Sequence, residues 1–204
     1  MGKRLPKSFF IRDDVNLIAK ELLGKYLMTK INGVISGGMI VEAEAYRTPD
    51  DTACHATKFG RTSRTEIMYK EGGHAYVYIC YGIHDLFNVV TGKENDAHAV
   101  LIRAIEPSDN LQTIMERRNI FKLKSNLGAG PGVVTKALGI TMNHNGINML
   151  SNQSSIWLED REIKIQANQI ATGPRVGCEN AGVSAFWPWR YVIKGNKFVS
   201  RPKL

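Results

Sequence analysis

Cysteine is scarce in this chain: Cys54, Cys80 and Cys178 are the three in 204 residues, odd in number and in no C-x-x-C pair. That excludes a disulfide framework and a thiolate zinc site, and it is the usage expected of a reduced, intracellular protein. The five histidines, His55, His74, His84, His98 and His144, show neither H-E-x-x-H nor the H-x-E with P-C-x-x-C of zinc deaminases, so no metal is expected. No apolar run approaches the roughly 18 residues needed to span a bilayer. Residues such as His84, Asp85 and Lys93 interrupt each candidate, and no membrane partner is expected. Met1 to Pro6 is basic but no hydrophobic region follows, which argues against a secretory signal. Pro6 stands where a myristoylation motif requires Ser or Thr. Repeats, linkers and low-complexity runs are absent. The length fits one domain, residues 1–204, with short flexible ends expected at 1–6 and 201–204.

What is present in excess is positive charge. Lys and Arg number 27 against 19 acids, a net charge of +8, which favours a polyanionic partner. The local clusters are Arg61 with Arg64, Arg117 and Arg118 with Lys122 and Lys124, and a C-terminal set from Arg190 to Lys203. Each also has an ordinary reading as a solvated face.

The unusual stretch is Ile40-Val-Glu-Ala-Glu-Ala-Tyr46. Read as a strand, it puts Glu42, Glu44 and Tyr46 on one face and Val41, Ala43 and Ala45 on the other. Glu is depleted in strands and in cores, so the acidic face is expected to meet a cleft or solvent. Ahead of it, Asp13 or Asp14 can cap a helix through Leu23 with Gly24 as its stop, and Asn32-Gly33 reads as a primed hairpin turn. Gly37-Gly38 suggests a bulge or a close backbone approach. Arg47 to Gly73 lacks periodicity and reads as a long functional loop. His74 to Val90 reads as strand, tight turn at Gly82, strand, with Tyr81 on the opposite parity from Tyr76 and Tyr78. A strand over Ala97–Ile105 and a helix from a Ser108 cap to about Asn119 follow. Gly128 to Gly132 opens a short helix, more as a turn than as a phosphate loop. Ile156–Leu158, Ile163–Ile165, Arg190–Ile193 and Phe198-Val199 read as short strands. The expectation is a mixed α/β (α+β) fold, a curved, largely antiparallel sheet with flanking helices.

V-E-A-E-A-Y, His55, Tyr76-Val-Tyr-Ile-Cys-Tyr-Gly, Asn88 and Leu101-Ile-Arg-Ala-Ile-Glu-Pro107 together resemble the alkyladenine (3-methyladenine) DNA glycosylase family. The likeness continues through Gly130-Pro131, Arg175-Val176-Gly177 and Tyr191-Val192, and so covers roughly Lys7 to Ser200. The resemblance implies a cytoplasmic, monofunctional base-excision repair enzyme acting as a monomer on double-stranded DNA, without a cofactor. It would flip alkylated, and also deaminated, purines out of the duplex and hydrolyse the N-glycosidic bond. Carried over position by position, Glu44 is the general base; Tyr46, His55 and Tyr78 wall the base pocket; Asn88 screens purines; Arg103 contacts the flipped nucleotide's backbone. Tyr81 fills the gap in the duplex, with Met68 and Ile83 as its apolar neighbours. The sequence departs from the family pattern at Ile83, where Met is common, at Cys80 and at Lys58-Phe59-Gly60.

Chemistry makes these roles coherent. A base in a duplex hides its glycosidic bond, so it has to be extruded and the gap refilled. An alkylated purine is cationic and gains a cation–π interaction over Tyr faces of about 0.5 to 2 kcal/mol. A carboxylate near C1′ can deprotonate water and stabilise the oxocarbenium ion. Each residue also has a plain structural reading: tyrosines as sheet packing, Asn88 at a strand edge, Arg103 paired with Glu42 or Glu106, His55 in a loop. Glu42 is expected to be structural. Two rival functions remain open at this point, a catalytically inert lesion or nucleic-acid binder and a nucleosidase of small molecules.

Overall fold

The computed structural model describes residues 2–204. Its strands are β1 (Lys3–Arg4), β2 (Tyr26–Ile31), β3 (Val34–Tyr46), β4 (Ala75–Cys80), β5 (His84–Thr91), β6 (His98–Asp109), β7 (Ile156–Asp160), β8 (Ile170–Gly173) and β9 (Arg190–Ile193). The helices are α1 (Lys7–Phe10), α2 (Val15–Leu22), α3 (His55–Phe59), α4 (Leu111–Arg118) and α5 (Pro131–Leu138). The strands form one sheet in the order β1-β7-β2-β3-β6-β5-β4, with β9 joining β3 and β8. Every pairing is antiparallel, as hairpin connections require. The fold is therefore the mixed α/β class expected.

β3 is long enough to serve three neighbours. Its first half pairs with β2 and its second half with β9, while β6 runs along the other edge. The turn between β2 and β3 has Asn32 and Gly33 at φ of +53° and +78°, the primed geometry that matches strand twist. Asp14 caps α2 by accepting from the Asn16 and Leu17 amides. The ladder shifts register between Gly37 and Gly38, and a Cβ on Gly38 would lie 2.6 Å from the Glu106 carbonyl oxygen. Both readings of that glycine pair hold, the bulge and the close approach.

Alternation along the strands divides the sheet into two faces. Val41, Ala43 and Ala45, Val77, Phe87 and Val89, and Val100 and Ile102 belong to the main core, which α2, α4 and α5 cover. The residues of opposite parity, Tyr46, Tyr76, Tyr78, Asn88, Leu101 and Arg103, line a cleft on the other side. One face is devoted to stability, which leaves the other free for chemistry.

Several expectations change. Glu42 and Glu44 meet neither solvent nor an open edge; both are 0% exposed, because β3 is interior to the sheet and arginines cover them. Ser108 does not cap α4. Pairing carries β6 through Asp109, and Asn110, at φ +56°, accepts from the Thr113 amide instead. Ile163–Ile165 and Phe198-Val199 are not strands; β9 takes β8 as its partner. The expected flexible arm at 1–6 is partly tied down: β1 pairs with β7 and Leu5 is buried, while residue 1 lies outside the described residues. The stretch Arg47 to Gly73 contains α3 and a 3-10 turn at Glu66–Tyr69.

The loop after β3 is fastened by a buried ion pair. Arg175 makes bidentate contact with Asp51 at 2.5 and 2.7 Å and also donates to the Ala45 carbonyl, with both charged side chains fully buried. Removing one charge strands the other, which costs about 3 to 5 kcal/mol. Asp51→Asn is expected to lower unfolding free energy by roughly 3 kcal/mol in urea titration; a loss under 1 kcal/mol would mean the latch is not structural.

Candidate active site

The cleft on the second face has a volume of about 640 Å³. Its walls come from consecutive strands because one transverse row of paired residues crosses the sheet: Arg190 opposite Glu44, Glu44 opposite Leu101, Leu101 opposite Asn88, and Asn88 opposite Tyr76. The loop from Arg47 and the segment Val176–Cys178 close the sides.

Beneath the floor lies a group of buried charges. The β3–β6 ladder is irregular between Ile40 and Ala43, and Arg103 falls in the irregularity, unpaired in the register. Bulges of this kind re-aim a side chain. The Arg103 Nε lies 2.8 Å from one Glu42 oxygen and 3.3 Å from a Glu44 oxygen. Arg190 donates to the same Glu42 oxygen at 2.8 Å, and Ser200 adds its amide and hydroxyl. Glu44 receives the Val176 amide at 2.8 Å and the Tyr46 hydroxyl at 2.8 Å. Burial raises the Glu44 pKa above the ordinary glutamate value, against the opposing pull of Arg103 and these two donors. Tyr46 titrates well above 10 through its own burial and the Glu44 charge, so its phenol stays a donor.

The aromatic wall is neutral. His55 Nδ1 lies 2.9 Å from the Tyr76 hydroxyl, and its ring meets Tyr78 edge-on at 4.6 Å. Burial, reinforced by Arg64 and Lys58, lowers the His55 pKa to about 4. Tyr76 is pushed up to about 12 and Tyr78 higher, both by burial. The Asn88 amide nitrogen donates to the Tyr76 carbonyl at 3.1 Å.

At the rim, β4 and β5 are joined through Tyr81 and Gly82, both at positive φ of +52° and +74°, closed by the Ile83 amide on the Cys80 carbonyl. A left-handed conformation costs a bulky side chain about 1 to 2 kcal/mol. The turn holds Tyr81 88% exposed and Ile83 75% exposed, large rings and chains aimed at water.

Of the residues singled out in the sequence, Tyr46, His55, Met68, Tyr78, Tyr81, Asn88 and Arg103 all line the cleft. Glu44 sits directly under it, covered by Tyr46, Arg103 and Val176. Ile83 stands outside with Tyr81 exposed, whereas Met68 is 2% exposed and packs with Cys54, Tyr76 and Ala99 in the wall. Met68 is thus placed as a buried pocket residue, apart from the exposed turn. Sequence reasoning passed over Tyr76 as a site residue, although its parity with Tyr78 signals it. Arg175-Val176-Gly177 belongs to the resemblance, but a main-chain amide has no side chain to signal that it donates to Glu44. No group of three His, Cys, Asp or Glu side chains able to hold a metal occurs among the described residues.

Comparison with known proteins gives the family. A Chlamydia felis protein provisionally named a 3-methyladenine DNA glycosylase is 46% identical over 194 residues, covering 95% of this chain and 97% of its own. Similarly named proteins of Chlamydia abortus and Bacillus cereus are 44% and 41% identical over 190 and 202 residues, covering 93% and 96% of this chain and 97% and 98% of their own. The family model described as methylpurine-DNA glycosylase matches residues 8–197, so the chain belongs to that family and is a DNA N-glycosylase.

Proposed function

We propose that this enzyme acts as a monomer on duplex DNA, flips an alkylated purine nucleotide into the cleft and hydrolyses its N-glycosidic bond with Glu44 as general base. The observation that carries the reading is a buried, ion-paired carboxylate under an aromatic cleft whose rim presents an 88% exposed tyrosine. Tyr81, in its strained turn, enters the minor groove and occupies the space left by the nucleotide, with Ile83 beside it. Tyr46, Tyr78 and His55 receive the base, and the π faces favour a cationic methylpurine. Asn88, with one of its two amide N–H groups donated to the Tyr76 carbonyl and so held in orientation, meets the purine edge and screens what enters. Arg103 contacts the flipped nucleotide's backbone from the cleft floor while holding Glu44.

Glu44 needs a water to act, and in the free protein its oxygens are taken by Tyr46, Val176 and Arg103. Entry of the nucleotide displaces the Tyr46 phenol and opens a place for that water; free-state geometry of catalytic groups commonly tightens only with substrate bound. A raised pKa makes Glu44 a stronger base than an exposed glutamate.

Single-turnover excision from methylated or hypoxanthine-containing duplex is expected to slow by about a hundredfold or more in Glu44→Gln, with duplex binding retained. Undiminished release by Glu44→Gln would overturn the mechanism, and no release by the unmodified enzyme would overturn the substrate reading in favour of an inert binder.

The pH profile follows from the same group. The active form is the carboxylate, so the rate falls as pH drops through the Glu44 pKa, and that limb lies above the ordinary glutamate value. His55, already neutral above about 4, contributes no limb near neutrality. Glu44→Gln is expected to flatten the profile; an unchanged limb would assign it to another group.

Tyr81→Gly separates strain from function. Glycine adopts positive φ freely, so the thermal midpoint is expected to hold or rise. Excision is expected to drop about tenfold or more because nothing refills the duplex. A stable variant with full activity would remove Tyr81 from the mechanism.

A further inference from the structure

The stacking face of Tyr78 is already occupied. The Arg64 guanidinium lies over the Tyr78 ring, 5.1 Å from its centroid, within the cleft. Its neighbours in the same loop differ. Arg61 is bidentate to Glu66, and Arg47 is bidentate to Asp50. Arg64 has no carboxylate within ion-pair distance among the described residues; its guanidinium faces the Tyr78 ring and lies near enough to the Tyr76 hydroxyl to oppose the rise that burial gives that phenol. Its main chain is nevertheless fixed. Thr65 is buried, its hydroxyl donates to the Gly60 carbonyl and it accepts from the Thr62 amide, pinning the turn that carries Arg64. A rigid turn with an exposed guanidinium that forms no ion pair among the described residues lets the side chain move without the backbone.

The geometry points to Arg64 as a cation placeholder in the base pocket: it covers Tyr78 while no DNA is bound and transfers to a backbone phosphate when a nucleotide enters. This rests on the proposed function above and adds the residue that sets which ligands reach the site. A guanidinium and a methylpurine cation seek the same face, and they exclude each other there. A phosphate offers Arg64 a stronger partner than the ring, a charge-assisted and potentially bidentate one. A base attached to a DNA backbone therefore brings the anion that draws Arg64 away. A free base, including the product, brings none and has to displace Arg64 unaided. The device favours bases in DNA over free bases and nucleosides and lowers product inhibition.

The charge of Arg64 already reaches the cleft, since it contributes with burial to the lowering of His55. Lys58 adds to that lowering but lies over Phe59, outside the Tyr78 stack.

The test measures two affinities on Arg64→Ala and Arg64→Lys. Free 3-methyladenine binding is read by calorimetry, which needs no turnover, and methylated-duplex binding is read across a salt series. Arg64→Ala is expected to bind free 3-methyladenine about threefold to fivefold more tightly, the size of an exposed cation–π contact removed. The same variant is expected to bind duplex more weakly, with the slope of log affinity against log salt reduced by about one. Arg64→Lys restores the slope while leaving part of the gain in base affinity. Opposite signs in one variant distinguish a placeholder from a simple phosphate contact, which would leave base affinity unchanged and so overturn the proposal. Weaker base binding in Arg64→Ala would also overturn it, making Arg64 part of the wall. Arg64 is exposed, so an unaltered thermal midpoint serves as the folding control. If the unmodified enzyme excises nothing, the proposed function fails, while the calorimetric comparison still decides the role of Arg64.

Discussion

Glu42 accepts four hydrogen bonds in a place that water does not reach, from the Arg103 and Arg190 Nε atoms and from the Ser200 amide and hydroxyl. A buried carboxylate without such donors would cost far more than the fold can tolerate, and each donor is drawn from a distant part of the chain. Arg103 is 61 residues away, Arg190 is 148 and Ser200 is 158. Satisfying this one side chain therefore fixes the irregularity in the β3–β6 ladder, the docking of β9 and the path of the C-terminal segment. Glu44 then shares Arg103 with it. Two carboxylates and two guanidiniums balance in charge, but Glu42 takes most of the donors. Burial raises Glu44 above the ordinary glutamate value, and only Arg103, the Val176 amide and the Tyr46 hydroxyl oppose that rise. The same cluster thus holds the sheet together and fixes the position of the Glu44 carboxylate under the cleft.

The second constraint is that the cleft walls belong to segments far apart in sequence. Arg175 reaches back to Asp51 and Ala45, and its guanidinium also lies 4.6 Å from the Tyr46 ring centroid. The loop after β3 and the segment carrying the Val176 amide are therefore one mechanical unit. Tyr81 stands at the opposite extreme, on a two-residue turn with nothing packed on it. Stability is concentrated around the buried charges beneath the cleft, and strain is confined to the exposed turn that the proposed function assigns to DNA.

Much of this was readable in the sequence because period-two alternation is a local property. The parity of Glu42, Glu44 and Tyr46, of Tyr76 and Tyr78, and of Tyr81 against them, placed each on the face it occupies. The primed turn at Asn32-Gly33 and the bulge at Gly37-Gly38 were readable for the same reason, since the backbone demands those residue types where they stand. What lay beyond reach was any feature set by a distant partner. Alternation could not say that Arg103 and Arg190 would cover two acids, so the acidic face was expected to meet a cleft or solvent. Ser108 had the composition of a cap, yet it lies within β6 between Pro107 and Asp109, which pair with β3, and the role passes to Asn110. A two-residue strand such as β1 has no pattern of its own; it exists because β7 offers an edge.

The protonation states of the cleft bear on which lesions suit it. An alkylated purine leaves as a neutral base and needs no acid, whereas a neutral lesion leaves as an anion unless something protonates it. Among the described residues of the wall, Tyr46, Tyr76 and Tyr78 hold their protons far above neutrality, and His55, at about 4, has already lost its extra one. Burial that makes these rings good stacking surfaces also removes them as acids. The nearby cations, Lys58 and Arg64, push His55 further in the same direction. If the proposed function holds, such a site offers a carboxylate beneath the sugar and an electron-rich surface around the purine, while its buried tyrosines and His55 give no acid on the leaving-group side at neutral pH. Its chemistry favours substrates that carry their positive charge with them, and any neutral purine has to be stabilised through hydrogen bonds as it departs.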